Sequence, residues 1–495
     1  MGKSVIVIGA GIAGLCAGCY AQMNGYATRI FEMHDMPGGV CTAWRRRGYT
    51  IDCCIQWLVG SNPSSRYHQL WEEVGLIQGR QIIDSEEFAR VEAPDGRAVI
   101  IYTDLNRLES HLTELAPSDA PLVKELLAAA RHAAEHEMPT VIPGTSTEAF
   151  RLLPRMLPLL TSMRRWSKLT VGQVCEHLES PLLKAALTAT WDPGISAFAL
   201  IGNLAWLHAR NAGYPIGGSL PLVRAVEKRF QDLGGQVEYK SRVTRILVER
   251  DRAVGVRLAD GREERADAVI SAADGHATIF DLLEGRYIDE TIREAYESRS
   301  VYKPLVFIGL GVARDFTREP QPISGGHLLL AEPVPIGPDR LHALHHRIHN
   351  FDPTLAPPGK TLITSIIPSE YDYWIGLAED RPRYEAEKKA AADILIAVLD
   401  RRYPGLAAQV EMVDVSTPVT WERYTGNWRG SYEGWFPSPK NFSVTRRKTL
   451  PGLADFYMAG QWVAPSGGLP IGVATGRQVV QQMCRRDGMR FRVRV

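Results

Sequence analysis

Three glycines near the start of the chain, Gly9, Gly11 and Gly14, have the spacing G-x-G-x-x-G. They directly follow the apolar run 5–8, and the acidic residue Glu32 comes 18 positions after the third glycine. In a strand–turn–helix unit, such glycines permit a tight turn, a close approach of the backbone to a pyrophosphate, and close packing of the helix on the strand. An acidic residue at this distance accepts hydrogen bonds from ribose hydroxyls. The spacing therefore predicts a dinucleotide-binding site.

The elements that must position these residues are visible in the same stretch. The apolar run predicts a strand, the residues after the glycines predict a helix, and residues 28–32 predict a second strand that ends in the acid. The first turn of the helix would present free N–H groups and the positive end of the helix dipole to phosphates. A strand–helix–strand unit thus accompanies the motif, which makes it more specific than the glycine spacing alone.

The rest of the chain alternates between helical and strand-like segments. Residues 64–210 are mostly helical by their periodicity, and residues 211–285 return to an α/β pattern. Residues 300–440 mix strands with a long helix over 382–399, and a buried strand and a closing helix follow residue 455. A chain that begins and ends in one nucleotide-binding domain predicts a discontinuous two-domain molecule with its ligand between the domains.

We therefore predict an α/β fold with a Rossmann-like cofactor-binding domain and an α+β substrate-binding domain that contains a mostly helical insertion. The first domain is expected to consist of residues 1-90, 211-290 and 441-495, and the second of residues 91-210 and 291-440.

Composition restricts the partners of the chain. Its 57 basic residues nearly balance its 56 acidic residues, so no overall field indicates nucleic acid. We find no uncharged apolar run of roughly 18 residues, as a membrane span requires. The first strand begins next to Met1, which leaves no room for a signal peptide. The seven cysteines are an odd, scattered set, which is typical of a reducing compartment. These features predict a cytoplasmic protein.

Three groups of candidate metal-ligating or redox residues have simpler interpretations. Cys16 and Cys19 lie inside the first predicted helix without a second pair, so we expect them to be buried core residues. The adjacent Cys53 and Cys54 are close to a predicted cofactor segment, but adjacent cysteines rarely form a disulfide. Four histidines have helical spacing but lie in a segment that reads as a strand, which would place them on both faces, so we expect no metal site: His342, His345, His346 and His349.

Three blocks of the chain resemble a known group of proteins. The first is the stretch 32–39 (Glu-Met-His-Asp-Met-Pro-Gly-Gly), the second is 214–218 together with 269–271, and the third runs from Met458 to Arg477. With the glycine motif, the first block resembles the FAD-binding fold of the amine oxidase, phytoene desaturase and Rab GDP-dissociation inhibitor superfamily. Together the blocks are similar to the phytoene dehydrogenase-related group, which includes carotenoid desaturases, carotenoid isomerase and retinol saturase. The resemblance covers the whole chain.

The resemblance implies FAD as the cofactor and assigns residues to its parts. The pyrophosphate would lie on the loop from Gly9 to Gly14, and Glu32, with Met33 beside it, would bind the adenosine ribose. The remaining contacts would come from three further segments. The residues implied are Gly9, Ala10, Gly11, Ile12, Ala13, Gly14, Glu32 and Met33, then Gly38, Gly39 and Val40 along the phosphate and ribityl chain, Val243 at the adenine, and Gly460, Gln461, Gly468, Leu469 and Pro470 at the ribityl chain and ring. Many relatives have an acidic residue where this chain has Gln461.

The substrate side carries fewer signals. The stretch 52–57 resembles the segment that passes near the flavin ring in relatives, so we expect Gln56 and Trp57 to line the pocket, with Gln56 where a histidine is common. Three further tryptophans are candidate pocket walls: Trp191, Trp206 and Trp374. No Ser-His-Asp set, carboxylate pair or nucleophile emerges, and flavin chemistry needs little from side chains beyond orientation and exclusion of water.

These observations lead to three hypotheses. The first is an FAD-dependent oxidoreductase acting on C–C or C=C bonds of an apolar, isoprenoid- or carotenoid-like molecule, by desaturation, saturation or isomerisation. The second is a flavin amine oxidase, and the third is a non-catalytic prenyl-lipid binding protein. Residues 149-168 carry five positive charges, no acid and several large apolar side chains, so they predict peripheral contact with an anionic membrane. Alternatively, that stretch is a surface helix that covers a pocket and does not contact a membrane.

Overall fold

The structure is a computed structural model that describes residues 2–136, 160–298, 300–442 and 446–494. Its strands are β1 (Ser4–Ile8), β2 (Ala27–Phe31), β3 (Ala43–Arg46), β4 (Tyr49–Asp52), β5 (Leu58–Val59), β6 (Ile82–Ile83), β7 (Glu87–Glu92), β8 (Ala98–Tyr102), β9 (Ala212–Pro215), β10 (Gln236–Glu238), β11 (Val243–Glu249), β12 (Arg252–Leu258), β13 (Glu263–Arg265), β14 (Ala268–Ser271), β15 (Leu305–Val312), β16 (Gly326–Ile336), β17 (Asp339–Ile348), β18 (Thr361–Pro368), β19 (Val410–Ser416) and β20 (Phe456–Met458).

Its α-helices are α1 (Ile12–Met23), α2 (Arg66–Glu73), α3 (Leu105–Leu115), α4 (Ala120–Glu135), α5 (Leu160–Trp166), α6 (Val171–Glu176), α7 (Pro181–Thr190), α8 (Ala197–His208), α9 (Ser219–Asp232), α10 (Glu290–Glu297), α11 (Tyr371–Ala378), α12 (Arg381–Arg402), α13 (Pro418–Thr425) and α14 (Gly468–Arg486). A π-helical turn spans Ala277–Leu282.

A parallel sheet at the centre of the molecule confirms the predicted α/β fold. Its strands have the order β10-β2-β1-β14-β20, and all the pairs are parallel. The strand β1 is apolar from Val5 to Ile8 and buried, as expected for a central strand covered on both faces. The five strands come from three distant parts of the chain, residues 4–31, 236–271 and 456–458. The sheet therefore has the discontinuous, Rossmann-like organisation that the sequence predicts.

The first and last helices pack closely against each other beside this sheet. A Cβ atom on Gly472 would lie 2.5 Å from Cγ2 of Ile12, and one on Gly476 would lie 2.9 Å from the carbonyl oxygen of Ala13. Along α1 the side chains are small and almost all buried, and Cys16 and Cys19 are fully buried among them. This agrees with the core role predicted for the two cysteines.

A second sheet has the order β19-β15-β18-β17-β16-β7-β8. The described part of residues 64–210 is mostly helical, as the sequence predicts, but the strands β6, β7 and β8 interrupt it between residues 82 and 102. The strands β7 and β8 are the last two of this sheet. The segments 87–92 and 98–102 have alternating burial, and a Pro-Asp-Gly turn at 94–96 joins them. The predicted domain boundary at residue 90 falls inside β7, and the domain division stays a prediction.

The histidine-rich segment is a strand, as the sequence predicts. His342, His345 and His346 lie on β17, and His349 follows its end. Three of the rings form hydrogen bonds, each with a different partner. The ring of His345 bonds to the carbonyl of Ser324, and the ring of His346 bonds to the hydroxyl of Tyr403. The ring of His349 bonds to the hydroxyl of Thr364. These histidines therefore serve separate hydrogen bonds inside the second sheet.

The predicted membrane-contact stretch is only partly described. Residues 149–159 lie outside the described residues, whereas residues 160–166 form α5. On this helix Trp166 is buried and Arg165 pairs with Glu125 on α4. In the described ranges of the chain, no helix combines the length and the apolar character needed to cross a membrane.

Replacing Gly14 by alanine should disrupt the first turn of α1, because the new Cβ would overlap the carbonyl oxygen of Gly9. We expect the free energy of unfolding to fall by about 3 kcal/mol. The matched control is Gly376→Ala on α11, where a Cβ meets no atom within 4 Å, and alanine should raise stability by about 0.5–1 kcal/mol. Chemical denaturation of both variants measures the difference, and equal stabilities would contradict this packing.

Candidate functional site

A cavity of about 1220 Å³ opens at the carboxyl ends of the central parallel strands. Ile8 at the end of β1 and Phe31 at the end of β2 contribute to its wall. In open α/β sheets, ligands bind outside the carboxyl ends of the strands. The volume exceeds the roughly 300–1,000 Å³ of an ordinary small-molecule pocket, so there is room for a large cofactor together with a substrate.

Two glycine segments form a backbone cradle at one end of the cavity. The amide of Gly38 donates to the carbonyl of Ala10 at 3.0 Å, and Gly38 forms a parallel bridge with Gly11. A Cβ on Gly39 would have Cα of Gly11 as its nearest neighbour, at 3.8 Å, so the space between the segments is open. A cradle of exposed backbone at the start of α1 fits a pyrophosphate, which accepts hydrogen bonds from amides and favours a helix N-terminus.

Glu32 both supports this cradle and faces the cavity. Its Oε2 accepts a hydrogen bond from the amide of Ala10 at 2.6 Å, and its Oε1 accepts one from the amide of His34 at 2.9 Å. The side chain lies in the cavity wall at the end of β2. Each carboxylate oxygen can accept further hydrogen bonds, so Glu32 has the position and the capacity to bind ribose hydroxyls.

The structure brings nearly all of the residues implied for the cofactor to one cavity. Ala10 and Gly14 do not line it, because the amide of Ala10 donates to Glu32 and Gly14 packs on Gly9. The implied residues in the wall are Gly9, Gly11, Ile12, Ala13, Glu32, Met33, Gly38, Gly39, Val40, Val243, Gly460, Gln461, Gly468, Leu469 and Pro470. The last three begin α14, so a second helix N-terminus faces the cavity.

Gln56 and Trp57 also line the cavity, on a loop that the buried side chain of Arg347 holds in place. Arg347 donates to the carbonyl oxygen of Ile55 at 2.9 Å and to that of Gln56 at 3.0 Å. The side-chain oxygen of Gln56 accepts from the hydroxyl of Ser324 at 3.1 Å. Hydrogen bonds from a buried charged donor are strong, so they fix the loop rigidly beside the cavity.

Aromatic side chains form much of the remaining wall. Trp57 lies edge-on to Phe88 at 5.2 Å between ring centroids, and Phe88 stacks on Trp191 at 5.6 Å. Trp206 also lines the cavity. The prediction for Trp374 is wrong: this residue is buried in the core of the second sheet, where it donates to Ser369, because its neighbours on α11 and β18 cover it.

Two carboxyl groups in the wall, the buried Asp274 and the half-buried Glu433, were missed by the sequence analysis. Asp274 accepts hydrogen bonds from the amides of Ala277 and Trp428, at 2.7 and 2.8 Å, and so holds the π-helical turn. Burial raises the pKa of Asp274 to about 7, and burial likewise raises the pKa of Glu433 to about 7. Single acids in loops carry no periodic signal, so only the fold shows their burial.

Comparisons with known proteins agree with this site. The model of the family described as flavin containing amine oxidoreductase matches residues 12–484. The chain is 27% identical to the phytoene desaturase (lycopene-forming) of a Paracoccus species, over 97% of each chain. It is 25% identical to the chloroplastic prolycopene isomerase of Daucus carota, over 92% of this chain and 77% of that protein. An oxidoreductase from Methanosarcina mazei has the same fold, with a TM-score of 0.60, 18% identity, and coverage of 97% of this chain and 100% of that one.

The parallel sheet and the backbone cradle define a dinucleotide-binding protein, and the match along nearly the whole chain narrows this class to flavoproteins. The chain belongs to the flavin containing amine oxidoreductase family. It is an FAD-dependent oxidoreductase, which confirms the predicted cofactor and favours an enzyme over a non-catalytic lipid-binding protein.

The stability of the protein should depend on the protonation of Asp274. A carboxyl whose pKa is raised by folding contributes stability below its unfolded pKa of about 4, and this contribution is lost as the pH rises through about 7. Asp274→Asn should remove this part of the pH dependence. It should also cost about 1–3 kcal/mol, because the two backbone N–H groups reach different carboxylate oxygens and the amide nitrogen that replaces one of them cannot accept a hydrogen bond. Thermal melts between pH 4 and pH 7 measure both effects, and an unchanged slope would contradict the raised pKa.

Proposed function

We propose that this flavoprotein acts on C–C or C=C bonds of an apolar, carotenoid-like polyene, by desaturation, saturation or isomerisation. The observation that carries this proposal is that the cavity continues past the cofactor segments between apolar walls. These walls come from Trp57, Met163, Trp191, Ile195, Phe198, Trp206 and Phe442. The desaturase described above, which matches over 97% of both chains, and the longer isomerase support a polyene substrate.

We propose that the two ends of FAD are held by opposite parts of the cavity. The adenosine ribose would lie at Glu32, the pyrophosphate in the cradle of Gly11 and Gly39, and the ring near the start of α14. When bound, FAD supplies a centre that accepts or returns a hydride. The protein's own residues orient the substrate and exclude water, and the apolar walls serve both purposes. The predicted division into cofactor and substrate domains accompanies this proposal.

We further propose that the basic stretch 149-168 contacts an anionic membrane from which the apolar substrate is taken. In the described part of this stretch, α5 contributes Met163 to the cavity wall. Arg164 on the same helix is exposed. An apolar substrate has little solubility in water, so a cavity wall next to a basic surface would give it a route from lipid.

A flavin amine oxidase is the second candidate. Tyr302 and Tyr432 both line the cavity, with ring centroids 5.1 Å apart. A pair of aromatic rings can bind an amine cation through its electron-rich faces. The extended apolar wall favours the polyene instead, because a small amine would leave most of it without contact.

The test is anaerobic reduction of the bound flavin, followed by its absorbance, with polyenes and amines as alternative electron donors. Polyenes should be delivered in anionic and in neutral vesicles. We expect a polyene to bleach the flavin, faster from anionic vesicles, since five positive charges favour that surface. Bleaching by an amine with no response to any polyene would contradict the proposed substrate. Equal rates from both vesicle types would contradict the proposed membrane contact but not the proposed substrate.

A further inference from the structure

Glu433 occupies a space that the start of the closing helix leaves for it. A Cβ on Gly467 would overlap the backbone oxygen of Glu433 and lie 2.7 Å from its Cβ, and one on Gly468 would lie 3.5 Å from Oε1. Both glycines immediately precede or begin α14. The carboxylate therefore lies beside the helix N-terminus that we assign to the ring end of the cofactor, and it lines the cavity.

The groups that face this carboxylate are mostly neutral. Tyr302 interacts with it electrostatically, Tyr432 lies next to it in the chain, and the charge of Glu433 also acts on the thiol of Cys54. The exposed Asp192 interacts electrostatically with both Tyr302 and Tyr432. Within the described residues, Glu433 forms no ion pair and receives no backbone hydrogen bond, so its proton is not held by a structural partner.

This arrangement differs from that of the other carboxyl group. Asp274 is tied to two backbone amides and supports a turn, as described above. Glu433 is half-buried and lines the cavity, and no such backbone hydrogen bond ties its side chain down among the described residues. A carboxyl group that is partly removed from water without structural hydrogen bonds is costly to maintain, which indicates a chemical use for Glu433 rather than a structural one.

We propose that Glu433 is the residue that exchanges a proton with the substrate. This inference rests on the proposed function. In desaturation, hydrogens leave two adjacent carbons. One leaves as a hydride and carries its electron pair to the oxidised flavin. The other leaves as a proton to the carboxylate of Glu433, and the electron pair of that C–H bond becomes the new C=C bond. In saturation the protonated Glu433 returns the proton while the hydride comes from the reduced flavin.

The surroundings suit this role. A polyene has no group of its own that accepts a proton, and the walls near it are apolar, so an acid–base residue must come from the protein. Proton transfer is most effective when the residue's pKa lies near the working pH, and burial places the pKa of Glu433 at about 7. Tyr302, which lines the cavity and interacts with the carboxylate, would act as a positioning residue.

The proposal is tested with Glu433→Gln, Glu433→Asp and Asp274→Asn in the holoenzyme. The first measurement is the pH dependence of anaerobic flavin reduction by a polyene. In the wild type the rate of desaturation should rise through about pH 7. Glu433→Gln should lower the rate about 10²–10⁴-fold and abolish the rise, and Glu433→Asp should restore part of both. Asp274→Asn should keep the rise of the rate with pH, although the pKa of Asp274 is similar to that of Glu433.

The second measurement does not depend on turnover. Infrared difference spectroscopy between acidic and alkaline pH should show two carboxyl contributions in the wild type, because Asp274 and Glu433 both titrate near pH 7. One contribution should be lost in Glu433→Gln and kept in Asp274→Asn, and the other should be lost in Asp274→Asn and kept in Glu433→Gln. A pH rise that persists in Glu433→Gln, or one lost only in Asp274→Asn, would overturn the proposal. If amines alone reduce the wild-type flavin, the proposed function fails, whereas a Glu433 carboxyl that does not titrate near pH 7 overturns this inference by itself.

Discussion

The close packing of the first and last helices is the constraint on which the site depends. Gly472 and Gly476 let α14 approach α1 so closely that any larger side chain would meet Ile12 or Ala13. This contact joins the two ends of the chain beside one sheet. As a result, the segment that begins α14 lies across the cavity from the glycine cradle that begins α1, and one long ligand can reach both helix N-termini.

The cavity then has two chemically different regions. The cofactor region is made of backbone amides, glycines and Glu32, all suited to phosphates and ribose. The region beyond Trp57 is aromatic and aliphatic, and polar groups enter it at few positions, of which Gln56 and Glu433 are examples. The loop that carries Gln56 and Trp57 lines the cavity and is held by Arg347. This division suits a flavoprotein in which the cofactor carries the redox chemistry and the protein excludes water and moves protons.

Local patterns predicted the nucleotide-binding half of the molecule well. The strand β1, the glycine turn and Glu32 lie within the first 32 residues and obey strong local rules. Elsewhere in the chain, the continuous apolar run of β15 and the long segment of α12 also indicated their type. The strands β7 and β8 were missed because they lie within a long, mostly helical stretch. Outside the hairpin that they form, β7 pairs with β16, which is more than 200 residues away. Trp374 was misassigned and Glu433 was overlooked for a related reason, since the surroundings of a single side chain depend on contacts between distant segments.

The central claim is that FAD is bound at this cavity with its adenosine ribose on Glu32. It is tested most directly by titrating the apoprotein with FAD and comparing Glu32→Ala with Glu332→Ala, an exposed acid on β16. Loss of a charged hydrogen-bond acceptor costs about 1.5–3 kcal/mol, so Glu32→Ala should bind FAD roughly 10- to 100-fold more weakly. The control should bind it like the wild type. Equal affinities for all three proteins would show that the cofactor does not rest on Glu32, and would contradict the account.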